Sequence, residues 1–392
     1  MHSSRRKFLR TSGLGLVSLC IGGFELKVLS SWIPKEVLQN RIPQLLQSAG
    51  LSRLSMSVLE NGNIWSKQFG TPGADTNLTV FEAGSLSKPL AAVLALQLQS
   101  QGKLDLNKPL ADYWSPPELQ NVEQAQQVTA VHVLSHASGL QNWRFNAQDR
   151  LKLNFIPGTD FSYSGEGYVW LQQVMEHLTG SGYADLISKQ VLTPLGMSNS
   201  SFDYKAELFD QMVPGHQRDG SLGDNYGERI GRAFKKIAST QNTNLSEWQM
   251  PKVLSEFKNV EPNLPALPVF VAPNAAGSLA CTAEDYIRFI QALLAKDPQL
   301  GLSKQDYVSL FTKESKVTAD ISWGLGWGLA GNSIGEMIFH TSETRFFKGV
   351  ALIDPKANKA LTILTNGANG DRVYDQVSRQ TTDLPLAFLN SF

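Results

Sequence analysis

The residues in this sequence whose types and spacing most clearly suggest catalysis are a serine and a lysine three positions apart, Ser85 and Lys88. They stand at the start of an apolar run that predicts a helix, and residues i and i+3 share one face of a helix. The Lys88 amine is therefore expected to lie beside the Ser85 hydroxyl. A hydroxyl is a weak nucleophile until a base takes its proton, and a lysine is such a base only where burial or nearby charge lowers its pKa. The pair predicts covalent acyl transfer through a serine.

The spacing alone is a weak signal, because about one or two such pairs occur by chance in a chain of this length. Context distinguishes Ser85. Gly84 permits a tight turn, the serine falls near a helix N-terminus, where developing negative charge is favoured, and Pro89 lies in the first turn, where a missing N–H costs least. We interpret three other pairs as coincidental: Ser4/Lys7, Ser100/Lys103 and Ser255/Lys258.

Several elements must position this pair. The Asn61-Gly62 dipeptide predicts a hairpin turn, Gly180 ends a helical pattern, and Thr282 begins another. The expected elements are a helix over residues 36–48, hairpin strands over 54–59 and 64–69, a helix over 167–179, a helix after Thr282, strands over 350–353 and 360–364, and a terminal helix from about Arg372.

The intervening segments are less regular. We expect residues 103–165 to be loop-rich with short helices. Residues 204–270 are polar and show no catalytic pattern, and we expect them to be irregular and to form a flap over the site. The alternating Gly324, Gly326 and Gly328 predict one face of a strand that admits close backbone or ligand approach.

The order of these elements predicts an α/β fold of the α+β type. Strands at both ends of the chain with helices between them indicate one antiparallel sheet that closes late, flanked by helices, with a mainly helical region inserted. The sheet region is expected over residues of about 36–84 and 320–392 and the helical region over about 85–319, within a single catalytic domain of residues 31–392.

Composition limits the classes of function. The chain has 392 residues, of which 42% are hydrophobic and 18% charged, and its formal net charge is zero. These values fit a globular protein with a sizeable core. Because no basic excess or polybasic arm is present, we expect no nucleic-acid partner. The expected partner is a small-molecule or peptide substrate, and the sequence leaves the oligomeric state open.

Residues 1–30 are predicted to be a twin-arginine signal peptide. The segment Ser4-Arg5-Arg6-Lys7-Phe8-Leu9-Arg10 precedes an apolar stretch over residues 13–24, which is shorter than the roughly 20 residues of a membrane span. We expect export to the periplasm or another extracytoplasmic site, with no stable membrane span after cleavage; lipid attachment at Cys20 is a less favoured alternative. Cleavage would leave Cys281 alone, so no internal disulfide is expected.

Short motifs follow one another along most of the chain. They are Ser85-Leu86-Ser87-Lys88, Val131-His132-Val133-Leu134-Ser135-His136-Ala137-Ser138-Gly139-Leu140, Pro157-Gly158-Thr159, Tyr163-Ser164-Gly165, Pro194-Leu195-Gly196-Met197, Ala276-Gly277-Ser278, Gly324-Leu325-Gly326-Trp327-Gly328 and His340-Thr341-Ser342. In this order they resemble the serine β-lactamase and penicillin-binding protein superfamily. They are most similar to its class C β-lactamase-like branch, which includes DD-peptidases, D-aminopeptidases and esterases. The resemblance covers nearly all of residues 40–390 and implies a β-lactamase/transpeptidase-like fold.

The resemblance also implies roles for individual residues. Ser85 would be the nucleophile, Lys88 its neighbouring base and Tyr163 a second proton carrier that protonates the leaving group. The oxyanion hole would use the backbone N–H groups of Ser85 and Glu343, which act on charge that forms only in the transition state. For Tyr163 to act as a base near neutral pH, its pKa near 10 must fall, and we expect a cationic Lys88 to lower it. No cofactor and no metal are implied.

The departures from the family pattern concern the substrate. The second motif usually ends in an asparagine whose amide reaches the acyl side of the substrate, but here it ends in Gly165. The third motif usually begins with lysine or histidine and ends in glycine, but here it is His340-Thr341-Ser342. Because His340 is mostly neutral at pH 7, it offers a substrate carboxylate no permanent cation.

Neighbouring charges rank the possible substrates. Glu343 adds a negative charge, and Arg345 would restore a cation only if it pointed inward. We therefore place an ester or amide hydrolase, of esterase or D-amino-acid peptidase type, ahead of a β-lactamase or DD-carboxypeptidase. Two alternatives stay open: Ser342 either crowds its strand or is harmless, and Glu166 either orients water in place of the missing asparagine or is a first-turn glutamate favoured by the helix dipole.

Three rival classes complete the sequence hypotheses. His132 and His136 have the i, i+4 spacing of a zinc site on a helix, but Val133 replaces the glutamate of the zinc-protease pattern, and we interpret His136 as a structural residue that hydrogen-bonds a loop. An α/β-hydrolase is disfavoured because no Gly-x-Ser-x-Gly elbow is present. A non-turnover penicillin-binding or sensor protein would acylate and then stall.

Overall fold

The computed structural model describes residues 35–381 except 72–78, 146–148, 204–207, 209, 224–225, 242, 261, 263–271 and 332–335. The predicted signal peptide and Cys20 therefore lie outside the described residues. The strands are β1 (Arg53–Glu60), β2 (Asn63–Gly70), β3 (Phe81–Gly84), β4 (Leu279–Cys281), β5 (Ser315–Lys316), β6 (Ile321–Trp323), β7 (Gly328–Gly331), β8 (Glu336–Glu343), β9 (Lys348–Asp354) and β10 (Lys359–Thr365).

Helices separate the N-terminal hairpin from the C-terminal strands, as the sequence predicts. They are α1 (Lys35–Ala49), α2 (Ser87–Ser100), α3 (Ala130–Leu134), α4 (Gly165–Thr179), α5 (Tyr183–Ile187), α6 (Tyr226–Gln241), α7 (Met250–Val260), α8 (Ala283–Ala295), α9 (Lys304–Leu310) and α10 (Gly370–Thr381). Short 3-10 turns at Leu110–Asp112, Pro117–Leu119 and Glu123–Gln127 interrupt the loop-rich stretch before α4.

Eight strands form one antiparallel sheet in the order β2-β1-β10-β9-β8-β7-β6-β5. The β1 strand pairs with β10, with Leu54 opposite Thr365 and Glu60 opposite Lys359. The hairpin turns at Asn61 and Gly62, whose φ angles of 52° and 77° lie in the left-handed region that a two-residue turn requires. The predicted antiparallel sheet that closes late is confirmed, because the first strands join it through the last one.

Alternate residues of the strands contribute to two cores on opposite faces of the sheet. The larger core holds the helical region, including α2, whose residues from Ser87 to Leu98 are buried. A helix that is buried all round belongs to the interior of a domain. The smaller core lies against α1 and α10 and includes Ile42 and Val377. The start of α2 is thus fixed by packing on every side.

A second, two-stranded sheet pairs β3 with β4, with Phe81 opposite Cys281. The β3 strand ends one residue before Ser85, and β4 begins shortly after Ala276. A further link runs through Ser87, whose hydroxyl donates to the Gly84 carbonyl at 2.7 Å and accepts from the Leu279 N–H at 3.0 Å. This small sheet brings two distant parts of the chain to the N-terminus of α2.

The prediction that Gly324, Gly326 and Gly328 share one face of a strand is wrong. Residues 324–327 form the turn between β6 and β7. Gly326 has a φ of +79°, and a Cβ there would lie 2.9 Å from Ala92 Cβ and 3.2 Å from the Lys88 carbonyl oxygen. The glycine is needed for close approach of this turn to α2, and the alternation that predicted a strand is a coincidence of turn residues.

The prediction that residues 204–270 are irregular is also wrong in part. They include α6 and α7, which pack together through Phe234 and Phe257 with ring centroids 4.9 Å apart. Their buried residues recur at helical spacing, as at Ile230, Phe234 and Ile237, within an otherwise polar sequence. The flap over the site stays a prediction.

Candidate active site

The Ser85 site comprises Ser85, Lys88 and Tyr163. Ser85 lies in the tight turn that joins β3 to α2, where the Leu86 N–H donates to the Ala83 carbonyl at 3.0 Å. Lys88 lies in the first turn of α2 and is fully buried, whereas Ser85 is partly exposed. The Lys88 ammonium nitrogen Nζ lies 3.2 Å from Ser85 Oγ. The structure therefore places amine and hydroxyl within hydrogen-bond distance, as the spacing predicts.

Burial determines the charge of Lys88. Loss of hydration disfavours the ammonium and lowers the pKa of Lys88 from 10.5 to about 7. The hydrogen-bond partners of Nζ among the described residues are neutral oxygens, Ser85 Oγ and the Ala276 carbonyl at 2.7 Å. A neutral amine with a free lone pair is therefore well populated near neutral pH, and such an amine is able to accept the Ser85 proton.

The loop that supplies the Ala276 carbonyl is held by side-chain amides. Asn274 Oδ1 accepts from the Ala276 N–H at 3.1 Å, and Gln172 Oε1 on α4 accepts from the Ala275 N–H at 2.7 Å. The other end of the Gln172 amide donates to the Pro273 carbonyl at 3.0 Å. Because both ends of one amide bind the loop, α4 fixes the oxygen that orients Lys88.

Tyr163 lies on the other side of the lysine. The Lys88 Nζ is 4.7 Å from the centroid of the Tyr163 ring, and the phenol shares a hydrogen bond with Ser85. Burial raises the pKa of Tyr163 above its usual value near 10, and the hydrogen bond with Ser85 offsets only part of the rise. The expected fall in this pKa is therefore wrong. The phenol therefore stays protonated and is able to donate a proton.

His136 binds both neighbours of Tyr163 in the chain. Its carbonyl accepts from the Ser162 N–H at 2.9 Å, and its ring Nδ1 accepts from the Ser164 N–H at 3.0 Å. The imidazole also lies against the phenol, with ring centroids 4.0 Å apart and planes tilted by 31°. An acceptor Nδ1 requires the neutral imidazole, and burial lowers the pKa of His136 well below its usual value. The loop that His136 is predicted to bind is therefore the segment that carries Tyr163, and the two hydrogen bonds fix the position of Tyr163.

The two histidines of the zinc hypothesis point to different partners. His132 Nδ1 accepts from the Thr129 N–H at 3.3 Å and completes a capping box at the start of α3, whereas His136 binds the Tyr163 segment. Among the described residues, no three His, Cys, Asp or Glu side chains are grouped as metal ligands. The i, i+4 spacing here serves a helix cap and a loop contact.

The third motif lies on the half of β8 that β7 does not cover. The β7 strand pairs along β8 only from Glu336 to Phe339. His340 is 1% exposed, its Nδ1 bonds to the Thr341 carbonyl at 2.7 Å, and its ring lies 6.3 Å from the Tyr163 ring. Burial, reinforced by the Lys88 charge, lowers the pKa of His340 to about 3. His340 is thus a neutral neighbour of Tyr163, while Thr341 is partly exposed.

Ser342 fits because a glycine faces it. A Cβ on Gly84, whose φ is +47°, would lie 2.7 Å from Ser342 Oγ and 3.6 Å from the Glu343 carbonyl oxygen. The buried Ser342 side chain therefore occupies space left by the bare Gly84, and it does not crowd β8. The same contact brings the backbone of Glu343 beside the turn that carries Ser85, where the expected oxyanion donors are needed.

Charged residues at the rim are engaged elsewhere. The exposed Glu343 carboxylate pairs with the buried Lys348. Arg345 is exposed, and its guanidinium carbon lies 4.9 Å from the Phe346 ring centroid. Glu166 is 4% exposed and binds Arg144 with both carboxylate oxygens at 3.0 Å. The contacts of Glu166 make it part of a structural ion pair in the first turn of α4.

Gly165 begins α4, and its N–H donates to Asn142 Oδ1 at 2.9 Å. A Cβ on Gly165 would lie 2.1 Å from the Trp143 ring. Nothing in the local sequence marks Trp143 or Gln172 as part of the site, and Ala276 belongs to one of the short motifs but has no role assigned from the sequence.

Comparisons with known proteins identify the family of the chain. A family model described as Beta-lactamase matches residues 38–383. Protein flp of Staphylococcus aureus (strain MRSA252) is 21% identical over 361 residues, covering 86% of this chain and 64% of that protein. The chain thus spans less than two thirds of the length of this curated relative.

Solved structures share the fold. A class C beta-lactamase superimposes with a TM-score of 0.68 at 19% identity, over 88% of this chain and 95% of that one. The D-alanine carboxypeptidase AmpC from Burkholderia cenocepacia gives a TM-score of 0.66 at 16% identity, over 88% and 97% of the two chains. With the family match over most of its length, the chain belongs to the beta-lactamase family.

Proposed function

We propose that this protein is a serine hydrolase that cleaves an ester or amide through an acyl-enzyme on Ser85. The observation that carries the proposal is the 3.2 Å contact between Ser85 Oγ and the Nζ of a fully buried Lys88. Burial keeps much of this amine neutral near pH 7, so the nucleophile has a base beside it at physiological pH.

Acylation follows from the positions of three side chains. Neutral Lys88 takes the Ser85 proton as Oγ bonds to the substrate carbonyl carbon, and the carbonyl oxygen becomes an oxyanion held by the backbone N–H groups of Ser85 and Glu343. When the bond to the leaving group breaks, Tyr163 donates its proton to the departing oxygen or nitrogen. Since an alkoxide or amide anion is a stronger base than a phenolate, a tyrosine with a raised pKa still suffices. Lys88 then returns its proton to Tyr163.

Deacylation repeats these steps with water. Lys88 takes a proton from the water as its oxygen attacks the ester carbon, and the proton passes to Ser85 Oγ as the acid leaves. The lysine is again neutral and the serine again protonated, so the cycle closes without a co-reactant.

The charges near the Ser85 site favour a substrate without a carboxylate beside the scissile bond. His340, at the position where the family usually has lysine or histidine, is neutral because its pKa is about 3. The exposed Glu343 carboxylate pairs with Lys348 and so compensates the charge of that lysine. We therefore propose an esterase or D-amino-acid peptidase type of activity, with β-lactamase or DD-carboxypeptidase activity as the alternative.

The test uses a chromogenic short-chain ester, a chromogenic cephalosporin and a fluorescent penicillin. We expect ester turnover that is lost in Ser85→Ala. The matched control is Ser100→Ala, since Ser100 also precedes a lysine by three residues but lies at the far end of α2. Ester turnover that persists in Ser85→Ala refutes the proposal. A cephalosporin cleaved faster than the ester supports the alternative, and stable penicillin labelling without turnover supports a sensor.

We also propose that the chain is exported by the twin-arginine route to the periplasm or another extracytoplasmic site. The support is the Arg5-Arg6 segment with its short apolar stretch. In the part of the chain that the structure describes, no helix has the length and apolarity to cross a bilayer. Residues 1–35 fused to a folded reporter should direct its export, and Arg5→Lys with Arg6→Lys should abolish it; equal export of both fusions would disprove the route.

A further inference from the structure

We propose that Trp143 is the wall of an acyl-binding subsite, which selects substrates with an apolar acyl group and excludes those recognised through an amide on the acyl side. The proposal rests on the proposed function, because it states which acyl group reaches Ser85. It names a specificity-determining residue that does not itself take part in the proton transfers.

Position 165 faces the same side of the chain as Tyr163. The intervening Ser164 has an extended backbone, with φ −135° and ψ 118°, and alternate residues of an extended segment project to the same side. Tyr163 in turn contacts Lys88 and shares a hydrogen bond with Ser85. A side chain at position 165 would therefore point toward the Ser85 site.

The Trp143 indole occupies that direction. A Cβ built on Gly165 would lie 2.1 Å from both Cη2 and Cζ2 of Trp143 and 2.6 Å from its Cε2. Real carbon atoms do not approach so closely. No side chain fits at position 165 while Trp143 keeps its place. The indole therefore requires a glycine at the position where the family usually has asparagine.

The residues on both sides of Trp143 are tied to the start of α4. The Asn142 carbonyl accepts from the N–H groups of Gly165 at 3.1 Å and Glu166 at 3.0 Å. Arg144 grips the buried Glu166 carboxylate, with Nε and Nη2 each 3.0 Å from one oxygen. Such two-point contacts fix orientation as well as distance. The indole packs against the larger core and is only partly exposed, so this packing and the two anchored neighbours hold it beside Gly165.

The chemistry of this wall defines the substrate class. An indole face provides apolar contact area, and its polar atom is a single N–H donor. An acyl group that carries an amide would lose its hydration against this face without gaining a paired acceptor and donor. An aliphatic or aromatic acyl chain would lose only unfavourable contact with water. The ligand class is therefore an ester or amide of an apolar carboxylic acid.

The first experiment measures kcat/KM for chromogenic esters that share one leaving group and carry acetyl, butanoyl, hexanoyl or N-acetylglycyl acyl groups. In Trp143→Ala we expect the hexanoyl-to-acetyl ratio to fall by about tenfold, the scale of a few lost apolar contacts in a substrate pocket. The matched control is Trp65→Ala, which removes an indole from the edge strand β2 and should leave the ratio unchanged. If Trp143→Ala does not fold, Trp143→Leu provides the same comparison.

The second experiment restores the asparagine. Gly165→Asn alone should lose activity or solubility, because its Cβ meets the indole. Gly165→Asn combined with Trp143→Ala should fold, and its N-acetylglycyl-to-acetyl ratio should rise by about tenfold or more. Gly165→Asn with wild-type stability and activity would overturn the geometry.

Failure of the subsite is distinguishable from failure of the proposed function. Turnover that depends on Ser85, with the same acyl ratios in the wild type and in Trp143→Ala, refutes the subsite alone. Turnover that survives Ser85→Ala refutes the hydrolase itself, whatever the ratios are.

Discussion

Replacement of Lys88 by methionine should abolish activity and yet stabilise the protein. The pKa of Lys88 is about 7 in the folded state against an ordinary 10.5. At pH 7 this difference destabilises the folded state by about 4 kcal/mol, from about 1.4 kcal/mol per pKa unit and a half-protonated amine. Methionine has similar volume and no charge to dehydrate, but it leaves the Ala276 carbonyl without its donor, which costs about 1–3 kcal/mol. We expect a net gain of about 1–3 kcal/mol.

The pH dependence of the free energy of unfolding distinguishes a gain from removing the buried charge of Lys88 from a gain due to better packing of methionine. Between pH 7 and 10.5 the unfolded chain binds more protons at residue 88 than the folded chain does, so the contribution of Lys88 to wild-type stability rises with pH. Methionine has no such dependence. The stability gap between Lys88→Met and the wild type should therefore narrow by about 3 kcal/mol from pH 7 to pH 10. Urea unfolding of both proteins at the two pH values gives this double difference, in which other titrating groups cancel.

A paired lysine provides the control. Lys359 is also buried, but its Nζ lies 2.6 Å from the Glu60 carboxylate. Because the carboxylate compensates its charge, Lys359→Met should not stabilise the protein at pH 7. A gap for Lys88→Met that stays constant between pH 7 and pH 10 would mean that Lys88 is an ammonium ion in the folded protein. That result would refute its role as the base, as would a loss of less than about a hundredfold in ester turnover.

Three further predictions concern the same site. The kcat/KM for an ester should fall about tenfold per pH unit below pH 7, because only the neutral Lys88 accepts a proton; a flat profile from pH 5 to 8 would contradict this. The variant His136→Asn keeps a residue type that tolerates the left-handed backbone (φ 58°), but it removes the ring beside Tyr163. We expect kcat to fall by about tenfold or more with KM little changed. An equal rise in KM would indicate altered substrate binding instead. Ser342→Gly should stay within about twofold of wild-type activity, whereas Ser342→Val should press on Gly84 and lose tenfold or more by a direct rate comparison.

Local sequence predicts the parts of this site that local geometry determines. Ser85 and Lys88 are three residues apart on a helix, so their contact follows once the helix is recognised. The hairpin turn at Asn61-Gly62 follows equally from two residues that accept left-handed backbone. In both cases the geometry of the contact is determined by residues within a few positions of one another.

Contacts between distant segments are the part that the sequence does not reveal. The Ala276 carbonyl that orients Lys88 is 188 positions away from it, and it is a backbone atom that any residue type supplies. Trp143 opposes Gly165 because two loops meet, and no periodicity marks that meeting. The prediction that the pKa of Tyr163 falls failed for a related reason: the family resemblance implies a lysine nearby, but the local sequence does not show that the phenol is buried, and burial raises its pKa.

The arrangement of charge around Lys88 explains why so many of its neighbours are aromatic or neutral. The rings of Tyr163 and Tyr168 lie 4.7 and 5.4 Å from its Nζ, and a positive Lys88 disfavours protonation of both His136 and His340. A carboxylate in these places would hold the ammonium permanently, and a second cation would oppose the protonated lysine that forms in each half of the cycle. Neutral imidazoles and phenols avoid both effects, and they still stabilise a transient ammonium through their ring faces. A neutral His340 therefore suits the base as well as the proposed substrate.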